Sequence, residues 1–405
     1  MAAFFKRIIT FFMSITAFIS GLFGRAKKPA DPVSEPTTNV EPSADPEPLR
    51  LEAEVLSGAR TILEAPGQVN NYFGWPSIAR LPNGKLAVAC SGFRRGHICP
   101  FGKAVMMTSD DEGDTYTGAA AVIETPLDDR DAGVVPFGGN GVIVTSFNNT
   151  REAQRNWNPD NAEYLSYLET VTDAVEARYL GSTFRLSFDG GETFGDIFIS
   201  PVTSPHGPTA LRDGSLLWVG RTFAEDDVFT ENNRIEAWRV HTDGTMEFVG
   251  AVPPVYRNGM LIDACEPSCI ELPDGTLLCH FRAESGLFTV YQTRSVDGGL
   301  TWSAPTRLLA DQGGSPPHLY LHSSGVLISA YGYRAGPTYG VRLMLSADMG
   351  ETWKTDLILW DDGVSSDLGY PATVERTDGT LLTVFYAKDE ESGPAVIKQI
   401  RWKLV

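Results

Sequence analysis

Cysteine is scarce. Five occur in 405 residues, an odd number and too few for a disulfide scaffold. Cys265, Cys269 and Cys279 lack a second metal-spaced pair, so buried free thiols are expected rather than a structural zinc. Basic charge is short as well. Lys and Arg number 33 against 51 Asp and Glu, a formal net charge of −18, and without a basic surface to replace condensed counterions no nucleic-acid partner is expected. No phosphate-cradling glycine loop stands between a strand and a helix, and neither a metal nor an organic cofactor is expected. Hydrophobic residues, at 42%, are ordinary for a globular chain and too many for a disordered one. What is plentiful is turn-forming residues: 40 Gly and 26 Pro exclude a helical bundle and suit an all-β chain.

The N-terminus differs from the rest. Residues 1–28 hold five basic side chains and no acid, and Lys6 and Arg7 precede an uncharged run from Ile8 to Phe23. That run is longer than a secretory h-region and shorter than a spanning helix unless Lys6 and Arg7 snorkel. Residues 1–28 are therefore expected to be a signal or membrane-anchor segment, cleaved or uncleaved, on an exported (periplasmic or extracellular) or membrane-anchored protein. Residues 29–49 carry six Pro and five acids with no base, a composition that buries too little to fold and reads as a semi-rigid linker. Residues 50–405 form the folded domain.

One phrase repeats along that domain: a polar or aromatic opening residue, an alternating apolar run, a tight turn and a second apolar run. The copies begin at Trp75, Asp131, His206, Glu266, Pro316 and Tyr370, and their turns end on Gly84, Gly141, Gly214, Gly275, Gly325 and Gly379. Asn-Gly and Asp-Gly between alternating runs are strong hairpin signals, because both residues tolerate the positive φ of a primed turn. The spacing is that of a four-stranded blade plus loops, and six copies predict a six-bladed β-propeller. A strand around Arg60–Glu64 is expected to pair beside the last strand, Val396–Leu404, and close the ring. Between Asn156 and Tyr179, Tyr164, Leu168, Val171 and Val175 fall at helical spacing, with Asp160 or Asn161 as cap. This predicts one helical insertion in the second blade, either covering the substrate face or padding the rim.

A second repeat lies inside the first. Ser109-Asp-Asp111-Glu-Gly113-Asp-Thr115-Tyr116, with its copies at Ser187, Ser295 and Ser346, fits S-x-D-x-G-x-T-aromatic. Asp and Ser side chains tie the loop, Gly takes the strained position, and the ring packs between sheets. This is the Asp box, and the folded region resembles the sialidase (neuraminidase) superfamily of six-bladed propellers with Asp-box (BNR) repeats. The box speaks for fold and not for activity.

In a propeller the opening residues converge on one end of the central channel. Trp75, Asp131, His206, Glu266 and Tyr370 are thus candidates for chemistry or binding. The second strands run back to the same face and bring Arg94, Arg95, Arg221, Arg282 and Arg334, whose planar forks suit a carboxylate substrate. The alternative is that these Arg bridge blades through acids such as Asp263 or Glu284. The resemblance implies roles. Tyr370 in Gly369-Tyr-Pro-Ala matches the family's nucleophile, Glu266 its proton acceptor, and Arg282 and Arg334 two of its three carboxylate clamps.

Two departures stand beside these matches. Gly74 occupies the place of the family's first Arg, and the first-blade loop that should hold its acid/base Asp has His97 and no acid. Arg94, Arg95 and His97 substitute for the missing parts, or Asp131 is the acid, or the acidic sugar is a different one. The expected function is a glycoside hydrolase removing a terminal acidic sugar, exo-sialidase-like, with a glycan as partner. The alternatives are a propeller glycosidase or lyase on uronate- or rhamnose-containing polysaccharide, and a non-catalytic carbohydrate-binding propeller.

Overall fold

The computed structural model describes residues 50–223, 233–284, 286–314 and 316–405. The expected N-terminal segment and the whole of the linker lie outside them. The folded unit spans Leu49–Val405. Among the described residues no helix is long and apolar enough to cross a membrane, and no group of three or more His, Cys, Asp or Glu is placed to hold a metal ion.

Among the described residues six antiparallel blade sheets follow one another along the chain, with a small two-stranded sheet, Tyr256–Arg257 and Met260–Leu261, between the third and the fourth. Blade one is Tyr72–Arg80, Leu86–Arg94, Lys103–Ser109 and Ala120–Ile123. Blade two is Arg130–Phe137, Gly141–Phe147, Ser182–Ser187 and Phe198–Ser200. Blade three pairs Leu216–Thr222, Ile235–Val240 and Met246–Ala251 behind an inner strand broken into Val202–Thr203 and Thr209–Ala210. The break falls where Pro205 and Pro208, which cannot donate to a ladder, flank Gly207 at φ 80°. Blades four and five open with Ala264–Glu271 and Pro317–Leu321, and blade six joins Gly369–Glu375, Leu381–Lys388 and Ala395–Leu404.

Closure is longer than the sequence suggested. Ala53–Leu63 adds the fourth strand of blade six, from Ala53 opposite Leu404 to Leu63 opposite Ile397, so the first and last strands cover each other's edges. The core is divided among the blade interfaces. Phe73, Leu86 and Val88 meet Leu382, Val384 and Tyr386 between blades one and six. Comparable clusters lie between every other adjacent pair. Trp402, on the closing pair of strands, is fully buried and donates from Nε1 to Thr383 Oγ1 at 2.9 Å. Trp402→Ala is expected to cost about 3–5 kcal/mol. The check is a lower urea midpoint with the slope unchanged.

Each of the four Asp boxes joins the third strand of its blade to the fourth. In the first, Ser109 Oγ accepts from Gly113 N at 2.8 Å, and Asp111 accepts from Thr115 Oγ1 at 2.6 Å. The same bonds recur at Ser187, Ser295 and Ser346. The box aromatics reach between sheets as expected: Tyr116 Oη donates to Gln399 of blade six at 2.7 Å.

The insertion in blade two is three short helices instead of one: α1 (Arg151–Trp157), α2 (Ala162–Thr170) and α3 (Asp173–Tyr179). Asn161 caps α2 by accepting from Tyr164 N, and Tyr164 and Leu168 are its buried face. The helix stops at Val171 because Thr172 turns its hydroxyl onto Val175 N and starts a new cap. The insertion is tied to the first blade. Phe101 of the first-blade loop packs on Tyr164 and Tyr167, and Gln154 reaches Asp128 at 3.0 Å. It braces the loop that carries His97.

Candidate active site

Four opening residues share one backbone device. Trp75, Asp131, Glu266 and Tyr370 have φ of 53°, 49°, 52° and 49°, and at each the ladder slips so that two residues oppose one. This is a β-bulge, which re-aims a side chain at the end of a strand. Three of the four precede Pro76, Pro267 and Pro371, at positions where a missing N–H costs no ladder bond. Left-handed backbone at a non-glycine residue costs on the order of 1–3 kcal/mol, and four repeats of it converge on one place.

Three of these residues line a cavity of about 330 Å³ together with His97, Arg130, Arg221, Arg282, Glu284 and Arg334. At its floor Tyr370 Oη donates to Glu266 Oε1. Glu266 Oε2 accepts from Arg282 at 2.7 Å, and the other arm of Arg282 pairs with Glu284. Burial pushes the Glu266 carboxyl up, but the Arg282 charge and the bonds from Tyr370 and Arg282 outweigh it and leave it below the ordinary range. Burial, then the charges of Glu266 and Asp131, push the Tyr370 phenol well above 10. The resting pair is a neutral phenol on an ionised carboxylate. Arg334 lies over the Tyr370 ring at 5.6 Å, fixed by Leu368 O at 2.9 Å and Tyr386 Oη at 3.3 Å.

Opposite stands His97. Its Nδ1 is 2.8 Å from Asp367 Oδ1, and its ring meets the edge of Trp75 at 5.0 Å. Tyr72 Oη donates to both Asp367 oxygens at 2.9 and 3.0 Å, and Lys388 Nζ lies 3.4 Å away. Burial raises the Asp367 carboxyl, yet His97 and Tyr72 hold it down to about 2. An ionised carboxylate only accepts, so Nδ1 carries the proton and Nε2 is left for the cavity. Burial lowers His97 below 6.5, Asp367 raises it, and the charges of Arg130 and Arg334 lower it further. A second cavity of about 510 Å³ shares His97 and Arg334 and adds Phe288, Gln312, Asp367 and Tyr386.

Several expected site residues lie elsewhere. Arg94 is fully buried, bound through Nη2 to Asp128 Oδ2 at 3.0 Å and under Trp75; it holds the loop and does not line the cavity. Arg95 is tied outward to Asn70, to Glu163 of α2 and to the Phe101 ring. Trp75 is 1% exposed and serves as a platform beneath His97 and Tyr370. His206 faces the axial channel, where it meets Ser77 Oγ at 2.9 Å and the His318 ring at 4.7 Å, because the broken inner strand of blade three carries it away from the other opening residues. Arg221 does line the cavity, paired with Asp263 at 3.3 Å. Gly74 sits in a tight place: a Cβ there would lie 3.3 Å from the Tyr72 ring and would need the ring to give by a few tenths of an ångström. Sequence reasoning missed Asp367, Tyr72, Tyr386 and Arg130. Four of the five cysteines are buried free thiols, and Cys269 is half-buried.

Residues 206–383 match the family model described as a BNR repeat-like domain. No curated protein matches the chain. Among solved structures, a protein of unknown function from Dyadobacter fermentans superposes with a TM-score of 0.66 at 20% identity, over 86% of this chain and 100% of that one. The NanB sialidase of Streptococcus pneumoniae gives 0.61 at 14% identity, over 85% of this chain and 71% of that one. The intramolecular trans-sialidase of Ruminococcus gnavus gives 0.55 at 14% identity, over 84% and 96%. These are likenesses of fold, and they agree with the bladed sheets and the four Asp boxes. The chain is a sialidase-like, six-bladed BNR-repeat propeller.

Proposed function

We propose that this protein is a glycoside hydrolase that removes a terminal acidic sugar from a glycan, in the manner of an exo-sialidase. The observation that carries this is the Tyr370 hydroxyl donating to Glu266, whose second oxygen is held by Arg282. Tyr370 Oη attacks the anomeric carbon as the glycosidic C–O bond breaks, and its proton passes to Glu266. The departing oxygen takes a proton from His97 Nε2. In the second half, His97 draws a proton from water, the water oxygen displaces Tyr370, and Glu266 returns the phenol proton. A neutral phenol avoids the like-charge repulsion that a carboxylate nucleophile would have with an acidic sugar. The basic-flanked apolar segment at residues 8–23 supports export or membrane anchoring.

A tyrosine and a histidine facing one cavity also favour a second reading, elimination from a uronate. A panel of acidic glycosides and polysaccharides decides between the two. Release of a saturated terminal acidic sugar is expected. A 4,5-unsaturated product absorbing in the ultraviolet means a lyase, and tight glycan binding without turnover means a binding module.

A further inference from the structure

The cavity holds four guanidinium groups, and three are already engaged. Arg282 pairs with Glu266 and Glu284, Arg221 with Asp263, and Arg334 bonds Leu368 O and Tyr386 Oη. Arg130 is different. It opens the first strand of blade two, one residue before the bulge at Asp131, and its guanidinium carbon lies 4.8 Å from the Trp75 ring centre and 5.6 Å from that of Phe147. It is only 9% exposed, and its buried Nε has no hydrogen-bond partner. Among the described residues the guanidinium makes neither a hydrogen bond nor an ion pair. A buried cation is costly unless it is paired. Two aromatic faces compensate part of its charge, but they leave the donor edge of the fork unsatisfied. A planar fork set against two rings, lining a cavity the size of one sugar, lacks an acceptor of matching geometry, and a carboxylate has that geometry.

We infer that Arg130 is the residue that receives the carboxylate of the substrate sugar, and so sets the preference for acidic over neutral sugars. This deepens the proposed glycosidase reading and rests on it for the sugar. Arg130 and Arg334 both act electrostatically on His97, so a carboxylate seated on Arg130 sits beside the imidazole that handles the leaving oxygen. The engaged Arg282 is then an organiser of Glu266 rather than the main clamp.

The test is calorimetric titration of the full chain with N-acetylneuraminic acid and D-glucuronic acid, each beside its methyl ester. The intact protein is expected to prefer one acid over its ester by at least about tenfold, as for one charge-assisted bond. Arg130→Gln is expected to bring acid and ester within about twofold of each other. Arg130→Lys, which keeps the charge and a stem against the rings but loses the fork, is expected to fall between. Because the readout is a ratio within one protein, partial loss of folded material does not alter it, and Arg130→Lys serves if Arg130→Gln does not fold. A charge-blind intact protein, or an acid preference unchanged in the variants, overturns the assignment. The glycosidase reading fails separately, through turnover unaffected by Tyr370→Phe, and this ratio does not depend on turnover.

Discussion

Tyr370→Phe is expected to lower kcat by at least about 100-fold, the lower range for a base-assisted step, while leaving the fold intact. The ring packs with Trp75 at 6.4 Å and Tyr386 at 6.0 Å, and phenylalanine keeps those contacts. Only the hydroxyl on Glu266 is lost. Glu266→Gln is expected to do comparable damage, because an amide cannot take the phenol proton and no longer balances Arg282. The two residues act as one unit, so the double variant should be little worse than either single one. Independent, multiplying losses would mean that the hydroxyl and the carboxylate serve different steps. The raised phenol pKa adds a requirement: no tyrosinate is present at rest, so nucleophilicity has to arise as positive charge develops at the anomeric carbon.

The second large effect belongs to His97. As general acid it acts protonated, so kcat/KM should fall as pH rises through its free-state pKa, which burial and the Arg130 and Arg334 charges set below 6.5. A bound carboxylate neutralises part of that positive field and raises the imidazole pKa. The alkaline limb of kcat should therefore lie at higher pH than that of kcat/KM, since the first reports the complex and the second the free enzyme. His97→Gln is expected to cost about 100-fold or more on a natural glycan and far less on a nitrophenyl glycoside, whose leaving group needs no proton. Asp367→Asn removes the group that favours the imidazolium, and as a positioning change it should move the kcat/KM limb to lower pH. Coincident limbs for kcat and kcat/KM, or equal losses on both aglycones, would remove His97 from the acid role.

The ring of blades was legible because each turn carries its own local chemistry, and the Asp boxes because Ser, Asp, Gly and Thr must keep fixed offsets to bond one another. The convergence of Asp131, Glu266 and Tyr370 was legible for the same reason: each opens a repeat. Arg130 was not, because in a regular strand neighbouring residues point to opposite faces, and only the bulge lets Arg130 and Asp131 line one cavity. Arg94 was misread by the converse logic. Counting from a turn places it on the right strand, but nothing local says that Asp128, in the loop leading to the second blade, will seal it. Asp367 sits in a loop without a motif, and its meaning comes from distant partners, Tyr72 and His97, 295 and 270 residues away. The helix break at Thr172 was hidden because apolar periodicity outlasts a cap.

The central claim is that Tyr370 bonds covalently to the sugar. An acidic glycosyl fluoride carrying a second, electron-withdrawing fluorine beside the anomeric carbon slows release of such a bond and allows it to accumulate. After brief reaction with the full chain, peptide mass spectrometry should find one fluorinated sugar on the peptide containing Tyr370, and none in Tyr370→Phe. Turnover of the parent glycoside with the adduct absent, or found on another residue, would contradict it.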